Sequence, residues 1–170
     1  MTQGTGSRGD RVPDWNEEKC ANLMPLNGYA KELIRRNLEA LQAGQRVPRI
    51  TVGKLTKVQI DAINVQQAAE DLPLSIDEVV FVGRHIFKRR IVGDGYTIDD
   101  VIDQIESALS EGSEVIATEY MTAIKNPMAR RDRLGNLVHD EAILECSKYR
   151  PNPDIFSVVP KGDWIKPKKE

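Results

Sequence analysis

One short stretch of the sequence groups side chains that can bind phosphate and move protons. The stretch GRHIFKRR, residues 83–90, surrounds His85, one of the chain's two histidines, with four cations: Arg84, Lys88, Arg89 and Arg90. If this stretch is helical, residues three and four apart share a face, so His85 lies beside Lys88 and Arg89. Cations bind phosphate oxygens, and a neutral imidazole can take a proton from a ribose 2′-hydroxyl. Metal-free RNA cleavage needs these parts, together with an acid for the leaving oxygen.

A helix end offers a second explanation for the same cluster. Lys, Arg and His are common in the last turn of a helix because they complement the helix dipole. In that case the cations need no ligand, so both interpretations stay open at this point.

The second histidine lies in a segment with the alternation of a β-strand. In NLVHDEAILECS, residues 136–147, the apolar Val138, Ala142 and Leu144 share one face, whereas His139 and Glu141 project from the other. His139 is therefore a candidate for the second acid–base group, although an exposed polar face of a sheet also explains it. Because neighbouring strand residues point in opposite directions, at most two of His139, Asp140 and Glu141 could share an ion, so we expect no metal site here. We also expect no cofactor.

Two further charged segments bear on ligand binding. The loop NPMARRDRLGN, residues 126–136, groups three arginines that could hold an RNA backbone or simply form a charged hairpin loop: Arg130, Arg131 and Arg133. By contrast, the stretch from Asp94 to Glu114 carries seven carboxylates and no cation. It would repel RNA, and it could attract a basic partner.

Composition limits the function classes further. With 24 Lys and Arg against 26 Asp and Glu, the net charge of −2 gives no global basic field, so any nucleic-acid surface must be a local patch. No apolar run approaches the roughly 20 residues that cross a bilayer, and no signal-peptide pattern is visible. An aromatic content of 5% argues against a platform that stacks several bases without cleaving them.

Helical periodicity dominates the first half of the chain. Apolar spacing predicts a helix over residues 28–43, and Thr56 caps a second helix over residues 57–71. Ile50 and Val52 predict a brief strand between these two helices.

Two further helices are expected to carry the histidine cluster and the acidic stretch. Ser75 and Glu78 form a capping-box pattern, which predicts a helix over residues 76–90. Thr97 caps the next helix, which has carboxylates in its first turn and ends at Gly112.

After Gly112 the period changes to that of strands. The segments EVIATEYMTAIKN, NLVHDEAILECSKY and DIFSVVP, separated by turn-like residues, predict an antiparallel three-stranded β-meander. N-terminal helices followed by such a sheet indicate an α+β fold. The predicted regions are a flexible arm (1–16), an N-terminal helical region (17–74), an α+β domain (75–163) and a basic tail (164–170).

The region 75–163 resembles the barnase–EndoU–colicin E5/D–RelE-like toxin nucleases, which occur as phage-encoded proteins and as C-terminal toxin modules of contact-dependent inhibition systems. The likeness rests on the order of a helix bearing GRHIFKRR, a helix YTIDDVIDQIESAL and strands ending in DIFSVVPKGD. The resemblance implies that His85 is a general base or acid and that Lys88, Arg89 or Arg90 clamps the phosphate. It also implies that Ser157 is the hydroxyl residue of the last strand.

We therefore expect a metal-independent toxin ribonuclease that cleaves RNA, with tRNA as one candidate target, through 2′-hydroxyl attack. Candidate RNA contacts are Arg84 and Arg90 beside the histidine, together with the three loop arginines. Expected partners are the RNA substrate and either an immunity protein or a host factor, with the cytoplasm, including that of a target bacterial cell, as the site of action. The alternative is a non-enzymatic phage or plasmid protein that binds and modulates a host factor.

Overall fold

The fold is α+β, with helices packed on a mixed β-sheet, which confirms the predicted class. A computed structural model describes residues 22–66, 77–117, 122–147 and 150–162. The predicted arm (1–16) and basic tail (164–170) therefore lie outside the described residues.

The described helices are α1 (Gly28–Gln42), α2 (Lys57–Gln66), α3 (Arg84–Ile86), a π-helix (Phe87–Gly93) that continues α3, and α4 (Ile98–Ala108). Three of them, α1, α2 and α4, begin where a side chain caps them. The side chain of Asn27 accepts a hydrogen bond from the Ala30 amide at 2.8 Å at the start of α1. Thr56 and Thr97 accept equivalent bonds from the backbone at the starts of α2 and α4. The helices predicted at these places are confirmed within the described residues, although α4 ends at Ala108, before Gly112.

The described strands form one sheet in the order β1-β2-β7-β6-β4-β3, with β5 paired to β6. They are β1 (Ile50–Lys54), β2 (Glu78–Phe81), β3 (Glu114–Ala117), β4 (Thr122–Lys125), β5 (Arg130–Arg131), β6 (Leu137–Ser147) and β7 (Arg150–Lys161). The β2–β7 pair is parallel, and the other pairs are antiparallel. The brief strand predicted around Ile50 and Val52 is confirmed as β1.

The predicted three-stranded meander is wrong in two respects. The segment EVIATEYMTAIKN contains two antiparallel strands, β3 and β4, rather than one. In addition, β7 pairs with β2, which runs parallel to it and precedes it in the chain by the helical segments α3 to α4 and the four strands β3 to β6. Alternation within a segment predicts a strand and its two faces, but it does not identify a parallel neighbour that is distant in the sequence.

The predicted helix over residues 76–90 is wrong in its first half. Glu78–Phe81 forms β2, and the helix begins only at Arg84. Val79 and Phe81 are fully buried, and such β-branched and aromatic residues favour a strand that pairs on both sides. Strand pairing therefore overrides the local capping signal, whose Ser75 lies outside the described residues. Gly83, with φ of +86°, separates the strand from the helix.

The helices α1 and α4 pack on one face of the sheet. Their apolar sides meet the inner faces of the strands in one buried cluster, which includes Leu33, Leu38, Phe81, Ile105 and Val158. Residues of both the predicted 17–74 and 75–163 regions contribute to this cluster. Among the described helices, none is long and apolar enough to cross a membrane.

Gly83→Ala should destabilise the protein more than the matched control Gly44→Ala. Both glycines have positive φ, +86° and +76°, so each substitution carries the cost of about 1–2 kcal/mol that a Cβ has in this conformation. Only at Gly83 would the new Cβ also overlap a neighbour, the Oδ1 atom of Asn37. Denaturant unfolding should therefore show a clearly larger loss for Gly83→Ala, and Asn37→Ala should reduce that difference. Equal losses in the two single variants would exclude the close approach of Asn37.

Candidate active site

The turn from β2 into α3 fixes the position of His85. Asn37 of α1 is only 1% exposed, and its Nδ2 donates a hydrogen bond to the Val82 carbonyl at 3.1 Å. Its Oδ1 occupies the space where a Cβ on residue 83 would stand, so the close approach requires Gly83. As a result, α1 anchors the backbone directly before the histidine-bearing helix.

The helix after Gly83 changes from α to π geometry at Phe87. The Asp94 amide donates a hydrogen bond to the Arg89 carbonyl, five residues earlier, at 3.0 Å. Ile86 is fully buried, whereas Lys88 is exposed. The segment is therefore amphipathic, and π-helical turns of this kind are frequent at functional sites.

The imidazole of His85 stacks on the ring of Phe156 in β7. The ring centroids are 4.1 Å apart and the planes differ by 19°. A register shift opposite Ile143 and Leu144 leaves Phe156 as an extra residue on β7, which is a β-bulge. Phe156 faces outward at the bulge and is 41% exposed, whereas the preceding Ile155 remains buried in the core.

The pKa of His85 is lowered from its ordinary value of 6.5. Partial burial is the largest cause, because desolvation disfavours the charged imidazolium. The positive charges of Arg89, Arg90 and Lys88 lower the pKa further. The imidazole is therefore mainly neutral at pH 7 and can accept a proton.

The four cations around His85 fall into two groups. The side chains of Arg84, Lys88 and Arg89 are exposed, and none of these side chains has a hydrogen bond or ion pair with another described residue. Arg90 is instead largely buried, and its Nη1 lies 2.5 Å from Oδ2 of Asp94. Arg90 thus stabilises the end of the π-helix, and its predicted contact with phosphate or RNA stays a prediction.

Ser157 and His139, the other predicted catalytic residues, form no hydrogen bond with His85 in the described part of the chain. Ser157 is 6% exposed and pairs with Ile143 of β6. His139 lies four residues from Ile143 along β6, a distance of about 13 Å from Ile143 at roughly 3.3 Å per residue. Its Nδ1 is 3.3 Å from the Asn126 carbonyl oxygen. Both roles therefore stay predictions.

The structure confirms the two faces predicted for β6. Val138 and Ala142 are fully buried, whereas His139 is half-buried on the other face. Asp140, a charged residue on the apolar face, is also fully buried. Its carboxylate accepts hydrogen bonds from Nε and Nη2 of Arg130 at 2.6 and 3.2 Å, which accounts for its burial.

The other two loop arginines also bind groups of the protein itself. Arg133 donates two hydrogen bonds of 2.8 Å to the Asp100 carboxylate at the start of α4. Nη1 of Arg131 donates to the Gly135 carbonyl at 2.8 Å. The loop of residues 126–136, called the basic loop below, and the acidic helix α4 therefore partly neutralise each other's charge. The RNA contacts predicted for Arg130, Arg131 and Arg133 stay predictions.

A small recess lies between α4 and the loop of residues 126–136. Among the residues that line it are Tyr96, Asp100, Asp103, Gln104, Arg130 and Arg133. Burial, followed by the negative charge of Asp132, raises the pKa of Tyr96 to about 12, so its phenol stays protonated at neutral pH. Within the described residues, no three His, Cys, Asp or Glu side chains are grouped as metal ligands. The exposed side chains of Arg84, Lys88 and Arg89 lie instead in the helical segment of His85.

Two residues of the site are not evident from the candidate list that the sequence provides. Phe156 follows Ile155 in DIFSVVP, and strand alternation alone would turn it away from the core. Asn37 is a polar residue within the apolar stripe of α1, where burial of an amide requires a partner. Both signals are visible in the sequence, but neither identifies His85 or Gly83 as the neighbour.

Comparisons with known proteins do not assign a function to this site. No protein-family model, curated protein sequence or solved structure matches the chain. The interpretation of the site therefore depends on its own residues.

NMR titration of the His85 ring should give a midpoint below 6.5, the value of an unperturbed histidine. Arg89→Gln removes a nearby positive charge and should raise the midpoint. Because the folded-state pKa is lower than the unfolded one, the protein should lose stability as the pH falls from about 6.5 through the folded-state pKa. The described electrostatics are wrong if wild-type His85 titrates at or above 6.5, or if Arg89→Gln leaves the midpoint unchanged.

Proposed function

We propose that the protein is a metal-independent toxin ribonuclease. Its active face consists of Arg84, His85, Lys88, Arg89 and Phe156, and is called the histidine face below. The observation that carries the proposal is the placement of His85, whose imidazole is held by stacking on Phe156, has a lowered pKa and lies beside exposed cations. This combination provides a proton acceptor next to groups that bind phosphate.

In the proposed reaction, neutral His85 accepts the proton of a ribose 2′-hydroxyl while that oxygen attacks the adjacent phosphorus. Lys88 and Arg89 neutralise the negative charge that develops on the phosphorane. The bond from phosphorus to the 5′-oxygen then breaks, and this oxygen takes a proton from water. The imidazolium returns its proton to the hydroxide so formed. The products are a 2′,3′-cyclic phosphate and a 5′-hydroxyl.

The geometry supports His85 better than the other predicted catalytic residues. Ser157 follows Phe156 in β7, but its side chain is largely shielded from solvent. His139 lies four residues along β6 from Ile143, the partner of Ser157, and no hydrogen bond joins it to His85 among the described residues. We therefore give His85 the role of general base and leave the leaving-group proton to solvent.

The toxin assignment and its setting are supported by the resemblance of region 75–163 to toxin nucleases. On this proposal the substrate is cellular RNA in the cytoplasm of the affected bacterial cell. An immunity protein that covers the histidine face would block cleavage by excluding RNA.

A non-enzymatic function in binding a host factor is the second candidate. Val58 and Val65 are 77% and 83% exposed, and they lie seven residues apart on one side of α2. Grouped apolar side chains at a surface favour contact with a partner protein. This surface is compatible with either a host factor or an immunity protein.

His85→Ala should reduce cleavage of total bacterial RNA at least about 100-fold, because loss of a general base typically costs two to four orders of magnitude. The RNA should be incubated with purified protein, with and without a chelator, and in cell extract as well. Activity should persist in the chelator, and circular dichroism should show an unchanged fold for the variant.

Two further variants sharpen this test. Lys57→Ala is a charge control, because Lys57 is exposed and pairs only with Asp61 among the described residues. His139→Ala should reduce activity far less than His85→Ala. Unimpaired cleavage by His85→Ala, loss of wild-type activity in the chelator, or no cleavage by the wild type in any medium would rule out the proposed mechanism.

A further inference from the structure

Phe156 is an aromatic ring at the surface, at the β-bulge of β7. It is 41% exposed, and it is the aromatic member of the exposed large apolar side chains in the described ranges. Its neighbours in β7, Ile155 and Val158, remain in the core on either side of the bulge. Phe156 therefore faces outward at the bulge, and the strand on both sides of it stays in the core.

The surroundings of Phe156 combine a flat apolar surface with positive charge. The His85 imidazole lies nearly parallel to the ring, at a centroid distance of 4.1 Å, so the two rings form one stack. Arg84, Lys88 and Arg89 are exposed in the same helical segment as His85. Proteins that bind single-stranded nucleic acids use this combination, with rings that stack on bases and cations that follow the phosphates.

We infer that Phe156 holds an unpaired nucleobase by stacking, and that the histidine face selects single-stranded RNA over duplex RNA. This inference rests on the function proposed above and names its substrate class. A base within a duplex has neighbours on both faces, so it can stack on Phe156 only after leaving the helix. An unpaired base meets no such cost.

The stack would also position the reacting groups. Because His85 and the bound base share Phe156 as a neighbour, the nucleotide that carries this base is held beside the imidazole. The cations of the same helix then lie next to its phosphates. A single ring of this kind differs from the platform of several aromatic residues that the composition argues against, because it fixes one nucleotide rather than a long strand.

The test is a binding measurement with an RNA that cannot be cleaved. A fluorescent 2′-O-methyl oligonucleotide, alone or annealed to its complement, is titrated with the wild type, Phe156→Leu and Phe156→Tyr while its anisotropy is measured. Phe156→Leu keeps an apolar side chain but removes the ring, and it should weaken single-strand binding roughly tenfold to a hundredfold. Phe156→Tyr keeps the ring and should bind like the wild type. Melting temperatures should be similar for all three proteins, because the ring is exposed.

Cleavage of the 2′-hydroxyl form of the same strand is measured in parallel. Wild-type affinity in Phe156→Leu, stronger binding of duplex than of single strand, or no binding by the wild type overturns the inference. Ring-dependent binding without cleavage supports base stacking but contradicts the ribonuclease proposal. Cleavage by the wild type together with unchanged affinity in Phe156→Leu supports the ribonuclease proposal but contradicts base stacking on Phe156.

Discussion

The parallel pairing of β2 with β7 determines where the candidate active site forms. Phe81, the last residue of β2, pairs with Ile155, so the chain that leaves β2 passes beside Phe156. Asn37 donates a hydrogen bond to the Val82 carbonyl and so fixes the turn at Gly83. The helix then begins at a point where His85 stacks on the ring of Phe156. A histidine and an aromatic residue that are distant in the sequence become neighbours through this one pair of strands.

The charged residues of the protein divide into those that hold the fold and those that face solvent. Asp100 and Asp140 each receive two hydrogen bonds from an arginine of the basic loop. Removing one partner of such a pair leaves an uncompensated, poorly solvated charge, which is why these arginines are poorly placed to exchange their carboxylates for RNA phosphates. Among the described residues, Lys88 and Arg89 have no corresponding acidic partner. A chain with a net charge of −2 can therefore present a local basic face.

Local patterns predict those parts of the fold that local forces decide. The capped helices α1 and α4 and the two faces of β6 follow from periodicity and capping residues. Local patterns do not predict β2, because a capping-box pattern favours a helix there and a β-branched run favours a strand. Pairing with β1 and β7 stabilises the strand. The site shows the same division. The sequence places His85 near Lys88 and Arg89, but the stack on Phe156 depends on the pairing of β2 with β7, which are distant in the sequence.

The central claim is that RNA contacts the protein at the histidine face. An NMR titration of isotope-labelled protein with an uncleavable 2′-O-methyl single strand tests this claim most directly, because it reports every backbone amide at once. The largest chemical-shift changes are expected at residues 84–93 and around Phe156, with small changes in the loop of Arg130–Arg133. Changes concentrated in that loop or in α4, or none at saturating RNA, would contradict the claim.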